Sequence, residues 1–227
     1  MADVELDAVG LVVDGATILR DVSLEADVTT LAVIGRNGSG KSTLLRVIDG
    51  LARATSGRAR VLGLDAWEER RRLHERVGFV FTNPDAQIVM PTVAEDVAFS
   101  LGPLHLGAKE AGRRVASTLE SLGLDRLADV PAHSLSGGQK QLLAIASAVV
   151  RDPELVLADE PTTMLDLPNA LRIGRLLLGG LRRPLVVATH DLALAAGCDE
   201  AVLMEGGTIV DRGPAPRVVD AYRARWE

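Results

Sequence analysis

Short apolar runs alternate with amphipathic stretches along most of the chain. "LAVIG", residues 31–35, is an apolar run closed by glycine, and "KSTLLRVIDGL" behind it sets its apolar residues at helical spacing. "VELDAVGLVV" and "ILRDVSLEA" predict early strands, as an antiparallel pair, and a further strand is predicted over 77–81. In the second half "ELVLADEP" and "PLVVATHD" read as buried strands, and "EAVLMEGGTIVDRG" as a hairpin turning at Gly206-Gly207. Strands alternating with helices imply an α/β chain built on a mostly parallel sheet. Between 93 and 134 the alternation gives way to helical patterns such as "AGRRVASTLESLGL". The predicted organisation is therefore one domain over 1–227 with a helical subdomain, 93–134, inserted in it.

Composition narrows the function classes. With 227 residues, 47% of them hydrophobic, the chain can bury a substantial core. A formal charge of -6 argues against general attraction to nucleic acid or to an anionic membrane. The one cysteine, Cys198, excludes an internal disulfide and fits a reducing compartment. The acidic start, "MADVELDAVG", lacks the layout of a secretory signal, and no apolar run approaches the roughly 18 residues of a membrane span. A cytoplasmic chain is expected, reaching a membrane only through a partner.

Three stretches carry chemistry. "GRNGSGKST", 35–43, follows a predicted strand and opens a helix, the context a phosphate-binding loop requires. Backbone N–H groups across Asn37, Gly38, Ser39, Gly40 and Thr43 would face phosphate oxygens of ATP, Lys41 would neutralise the terminal phosphates, and Ser42 would hold Mg2+. "LVLADEP" ends an apolar strand in two carboxylates, placed for Asp159 to reach the Mg2+ and Glu160 to polarise the attacking water; a solvated strand end has the same look. "LSGGQ" is the third. Ser136 can cap the following helix while Gly137 and Gly138, with Gln139 behind them, leave its N–H groups bare as a second phosphate cradle. One γ-phosphate does not need two cradles from one chain, so the pair would serve one nucleotide only across two facing chains.

In these motifs, and over essentially its whole length, the sequence resembles the ATPase subunits of ABC transporters. The resemblance implies the P-loop NTPase fold of ABC ATPases: a mixed sheet core, an antiparallel β subdomain and an inserted helical subdomain. It implies that Ser136, Gly137 and Gly138 complete the ATP site of the opposite subunit, that Asp166 in "TTMLD" lies on the loop crossing between subunits, and that His190 in "ATHD" contacts the γ-phosphate. A homodimer suffices, and a heterodimer with a second ATPase is compatible. Two positions depart from the family pattern. The aromatic residue that usually stacks the adenine is missing, since the first aromatic is Trp67, leaving Val13 to offer an aliphatic face; and Thr82 stands where the family has a glutamine.

"NPDAQ" followed by "PTVAEDVAF" resembles the corresponding region in ATPases of energy-coupling factor (ECF) importers. Thr92 and Glu95 predict a capping box. Glu95 and Asp96 are expected either to face a docking groove for an arginine of the transmembrane partner or to favour the helix dipole, and Gln87 is a candidate for part of the missing glutamine's role. The resemblance implies two membrane partners, a transmembrane coupling protein and a small substrate-binding protein, and a place on the cytoplasmic face of the cell membrane. The short end after "GGTIVDRGP" is similar to that of biotin-importer ATPases; cobalt or nickel importers, and soluble ABC-type assembly factors, are the alternatives. Cys198, His74, His105, His133 and the basic run "ERRRLHER" are expected to be structural.

Overall fold

The computed structural model describes residues 3–226. β1 (Val4–Val13) and β2 (Ala16–Ala26) form the expected antiparallel pair. β3 (Thr30–Ile34) leads into α1 (Lys41–Ile48), followed by β4 (Ser56–Val61), β5 (Leu64–Asp65), α2 (Arg70–Arg76) and β6 (Val77–Val80). α3 (Val93–Phe99), α4 (Ala108–Leu122) and α5 (Gly137–Val149) come next. The chain closes with β7 (Leu155–Asp159), α6 (Leu167–Arg175), β8 (Leu185–Ala188), α7 (Leu192–Ala196), β9 (Glu200–Glu205), β10 (Thr208–Pro214) and α8 (Ala215–Arg223).

The strands make two sheets. β2-β1-β4-β5 is antiparallel, and β10-β9-β3-β8-β7-β6 is parallel except for its β10 edge. Strands β4 and β5 were not foreseen: "SGRARV" buries only Ala59 and Val61, too weak an alternation to stand out beside the exposed arginines. Strands β3, β7, β8 and the edge strand β6 are buried at every residue, as a sheet covered on both faces requires. Alternate side chains divide between two cores. Leu31, Val33, Leu155 and Leu157 pack with α1 and the antiparallel sheet, while Ala32, Ile34, Val156 and Ala158 pack with the helices of the other face.

Residues 93–134 contribute α3, α4 and short 3-10 turns. Val97, Leu119 and Leu122 of this segment join the same core as Val80 and Ala158 of the parallel sheet. The hairpin at Gly206-Gly207 has φ +55 and +82, the two positive angles a tight antiparallel turn needs. A Cβ on Gly207 would lie 2.3 Å from the Ile18 carbonyl oxygen, so the glycine lets the hairpin close on β2. Among the described residues no helix is long and apolar enough to cross a membrane.

Register sets the site. Val33 pairs with Ala188, Ala188 with Asp159, and Val80 with Ala158, so β3, β6, β7 and β8 all release their chains at one edge. An open α/β sheet places ligands at this carboxyl edge.

Candidate nucleotide site

The loop between β3 and α1 is built on left-handed glycines. Gly40 precedes α1 at φ +101, where an L side chain would be strained, and a Cβ there would also press on Leu19 Cδ2 at 2.9 Å and the Ile18 carbonyl oxygen at 3.2 Å. Asn37 and Gly38 form the exposed tip of the loop, and Thr43 follows in the first turn of α1. Ser39 is buried, and its hydroxyl has no hydrogen-bond partner. Such an orphaned group suits a loop made to meet an oxyanion. Lys41 is 6% exposed, with Nζ donating to the carbonyls of Gly35 at 3.0 Å and Arg36 at 3.3 Å. Its ammonium is folded back onto its own loop, where phosphate oxygens would replace those carbonyls.

β7 delivers the two carboxylates to this loop. The Ser42 hydroxyl donates to Asp159 Oδ1 at 2.7 Å, joining two hard oxygen donors of the kind Mg2+ prefers. Burial holds the Asp159 carboxyl above the usual range, opposed by the Ser42 hydroxyl, raised further by Glu160, and lowered by the Thr82 hydroxyl and Arg46.

Glu160 turns out of the strand at φ +50, with its N–H bonded to the Ala188 carbonyl at 2.8 Å. Its Oε1 stands 3.6 Å from Lys41 Nζ. Its Oε2 accepts from the His190 N–H at 3.2 Å and from the Thr163 hydroxyl at 3.3 Å, and lies 2.7 Å from His190 Nδ1. The fold thus brings Lys41, Ser42, Asp159, Glu160 and His190 into one contiguous cluster.

Ser136, Gly137, Gly138 and Gln139 stand elsewhere. Ser136 caps α5 with a reciprocal capping box to Gln139, leaving the glycine N–H groups of the first turn unspent on side chains. A Cβ on Gly138 would lie 2.5 Å from Asn169 Oδ1, so glycine permits the following loop to press against the cradle. Asp166 caps α6, accepting from the Asn169 N–H at 3.1 Å and Nδ2 at 2.6 Å. Among the described residues no hydrogen bond or ion pair joins this group to the Lys41 cluster.

Two expectations about the elbow are corrected. Asp96 does not present charge to a docking groove: it is 2% exposed, Oδ1 accepts from Val89 N at 2.8 Å and Met90 N at 3.0 Å, and Oδ2 accepts from the Ser147 hydroxyl at 2.9 Å. Glu95 is spent on its capping box with Thr92. Gln87 does not replace the missing glutamine either. Its Oε1 accepts from Phe81 N at 3.1 Å, and its Nε2 donates to Phe79 O at 3.3 Å and Ala144 O at 2.9 Å, stapling the elbow to α5. Sequence reading missed these roles because the partners on α5, Ser147 for Asp96 and Ala144 for Gln87, lie 51 and 57 residues away. Cys198 is buried, with burial pushing its thiol up to about 12, as a packing residue should be. Val13, at the end of β1, is 47% exposed.

Comparison with known proteins agrees with this geometry. Residues 19–163 match the ABC transporter family model. The chain is 37% identical to a biotin transport ATP-binding protein of Rhodobacter capsulatus, over 100% of this chain and 97% of that one. It is 38% identical to a nickel import ATP-binding protein of the same organism, over 95% and 90%. Its fold matches the cbiO1 protein of Clostridium perfringens, described as part of the ABC transporter complex cbiONQ, with TM-score 0.88, 29% identity and coverage of 98% and 92%. The chain belongs to the ABC transporter family of ATP-binding proteins.

Proposed function

We propose that the chain is the ATP-hydrolysing, energy-coupling subunit of an ECF-type importer, working as a dimer on the cytoplasmic face of the cell membrane. The observation that carries this reading is Glu160, held between Lys41 and His190 at the edge where Ser42 meets Asp159. Two copies would sandwich two ATP molecules. Each nucleotide rests on residues 37–43 of one copy and is covered by Ser136, Gly137, Gly138 and Gln139 of the other, with Asp166 at the seam.

Lys41 exchanges its loop carbonyls for phosphate oxygens. Ser42 and Asp159 would hold Mg2+, which when bound would neutralise charge growing on the phosphates. Glu160 accepts a proton from the attacking water as its oxygen bonds to the γ-phosphorus and the bond to the ADP oxygen breaks. His190 holds Glu160 in place and faces the γ-phosphate. Closure and reopening of the dimer would move the elbow at 83–91, and with it a transmembrane coupling protein that serves a small substrate-binding membrane protein.

Biotin is the cargo favoured by a relative matched along the full chain. A metal-ion importer is the second reading, favoured by the nickel relative at equal similarity. The substrate-binding membrane protein that co-purifies from detergent-solubilised native membranes, assayed for bound biotin and bound metal, separates the two. Glu160→Gln should retain MgATP and slow hydrolysis by roughly 10²–10⁴-fold. Hydrolysis at the parent rate would remove Glu160 as the base.

A further inference from the structure

Beside the phosphate loop lies a cavity of about 520 Å³, lined by Arg36, Asn37 and Gly38, by Met204 and Gly206 of the terminal hairpin, and by Trp226. The Trp226 ring is 60% exposed and carries the Arg36 guanidinium 5.0 Å from its centroid. The hollow shares Asn37, Gly38 and Ser39 with the phosphate loop, but nothing in the nucleotide chemistry described above uses the Trp226 ring.

Met164 is a second unexplained feature. It is 86% exposed and sits in the left-handed region at φ +66, a conformation an unbranched apolar residue adopts only against steric resistance. An exposed thioether held out on a strained turn has no use within its own chain. Methionine is, however, the side chain best able to fill an irregular hollow and to lie against an aromatic ring.

The composite site, with two copies facing each other, would bring knob and hollow together. Leu165 Cδ2 lies 3.9 Å from the Cβ position of Gly137, and the Asn169 side chain lies against Gly138, so the 163–166 turn and the start of α6 flank the cradle. A cradle laid over the phosphate loop of a second copy carries Met164 to the edge of that loop, where the cavity opens. Charge agrees with this placement. Among the described residues Arg36 has no carboxylate partner, and the Asp166 carboxylate, two residues from Met164, is bonded only by Asn169. Two-fold symmetry makes each contact occur twice.

We propose that in the dimer Met164 of each copy seats in this cavity of the other, its thioether against the Trp226 ring and Asp166 facing Arg36. This rests on the composite-site reading given under Proposed function.

Trp226 reports on itself, because the chain has two tryptophans and Trp67→Phe removes the other. In the full chain carrying Glu160→Gln and Trp67→Phe, MgATP is added while mass is followed by light scattering and Trp226 by emission and acrylamide quenching. The expected result is doubled mass with a blue shift and a loss of quenching. Adding Trp226→Phe should abolish that signal. Adding Met164→Ala should return quenching toward the monomer's, or weaken the dimer itself, and Met164→Leu should restore most of the protection. Doubled mass with Trp226 still fully quenched overturns the contact while the composite site stands. No doubling overturns the composite site, and this contact with it.

Discussion

Asp49 ends α1 with a carboxylate that is 4% exposed, near Arg151 and 3.5 Å from His74 Nε2. Burial raises its carboxyl to about 7, against the lowering pull of Arg151. Arg151 is itself lowered, first by burial, so loss of hydration outweighs the attraction between the two. Because the folded value lies above the unfolded one, the native state binds the extra proton between about pH 4 and 7. Stability is then full below about pH 4, falls as pH rises through that window, and levels off above it. Asp49→Asn, which needs no proton, should leave stability near the parent's at pH 4 and exceed it at pH 8 by on the order of a few kcal/mol. Urea denaturation at the two pH values checks this; equal differences at both would show that Asp49 is ionised throughout. Nothing in "VIDGL" announced this residue, whose desolvation comes from elements far along the chain. Lys41, Ser42, Asp159 and Glu160 could be placed together because glycine spacing and strand ends fix their backbone locally, whereas His190 was placed only by the resemblance to ABC ATPases.

At the scale of elements, strands and caps were readable and cross-element polar bonds were not. The capping box at Thr92 depends on residues three apart and forms as expected; Ser136 caps α5 as expected, and the reciprocal bond with Gln139 adds to it. The Asp96 bonds reach Ser147, 51 residues away, so its sequence position at a helix start suggested a surface charge instead. The elbow is fixed to α5 at three points: Asp96 with Ser147, Gln87 with the Ala144 carbonyl, and Lys140 Nζ with Asp85 Oδ1 at 2.7 Å. Since α5 carries the cradle at its amino end, these bonds would let a push on the elbow reach the cradle. Asp96→Ala strips partners from two backbone N–H groups and a hydroxyl and should lower stability by about 3 kcal/mol. Asp96→Asn keeps one acceptor and should lose roughly half as much. Chemical denaturation with an unchanged slope measures both, and a negligible loss for Ala would mean that solvent reaches those groups.

For the whole molecule, a single edge of one sheet collects the loop after β3 and the ends of β7 and β8, so nucleotide bound there ties both cores together. Any ligand that binds the folded chain alone stabilises it by mass action, about 2.7 kcal/mol at a hundred times its Kd. For a domain of this size that amounts to a rise of roughly 5–10 °C in Tm. The parent chain should show this rise with MgATP, and Glu160→Gln should keep it, since its change falls on the attacking water. Lys41→Ala should lose it. The lysine donates to two loop carbonyls and faces Glu160, so its removal also loosens the empty loop and lowers the starting Tm. The informative quantity is therefore the difference with and without nucleotide in each variant, read by scanning calorimetry. A full rise in Lys41→Ala would place the phosphates away from residues 37–43, and the cluster of Ser42, Asp159, Glu160 and His190 would need another substrate.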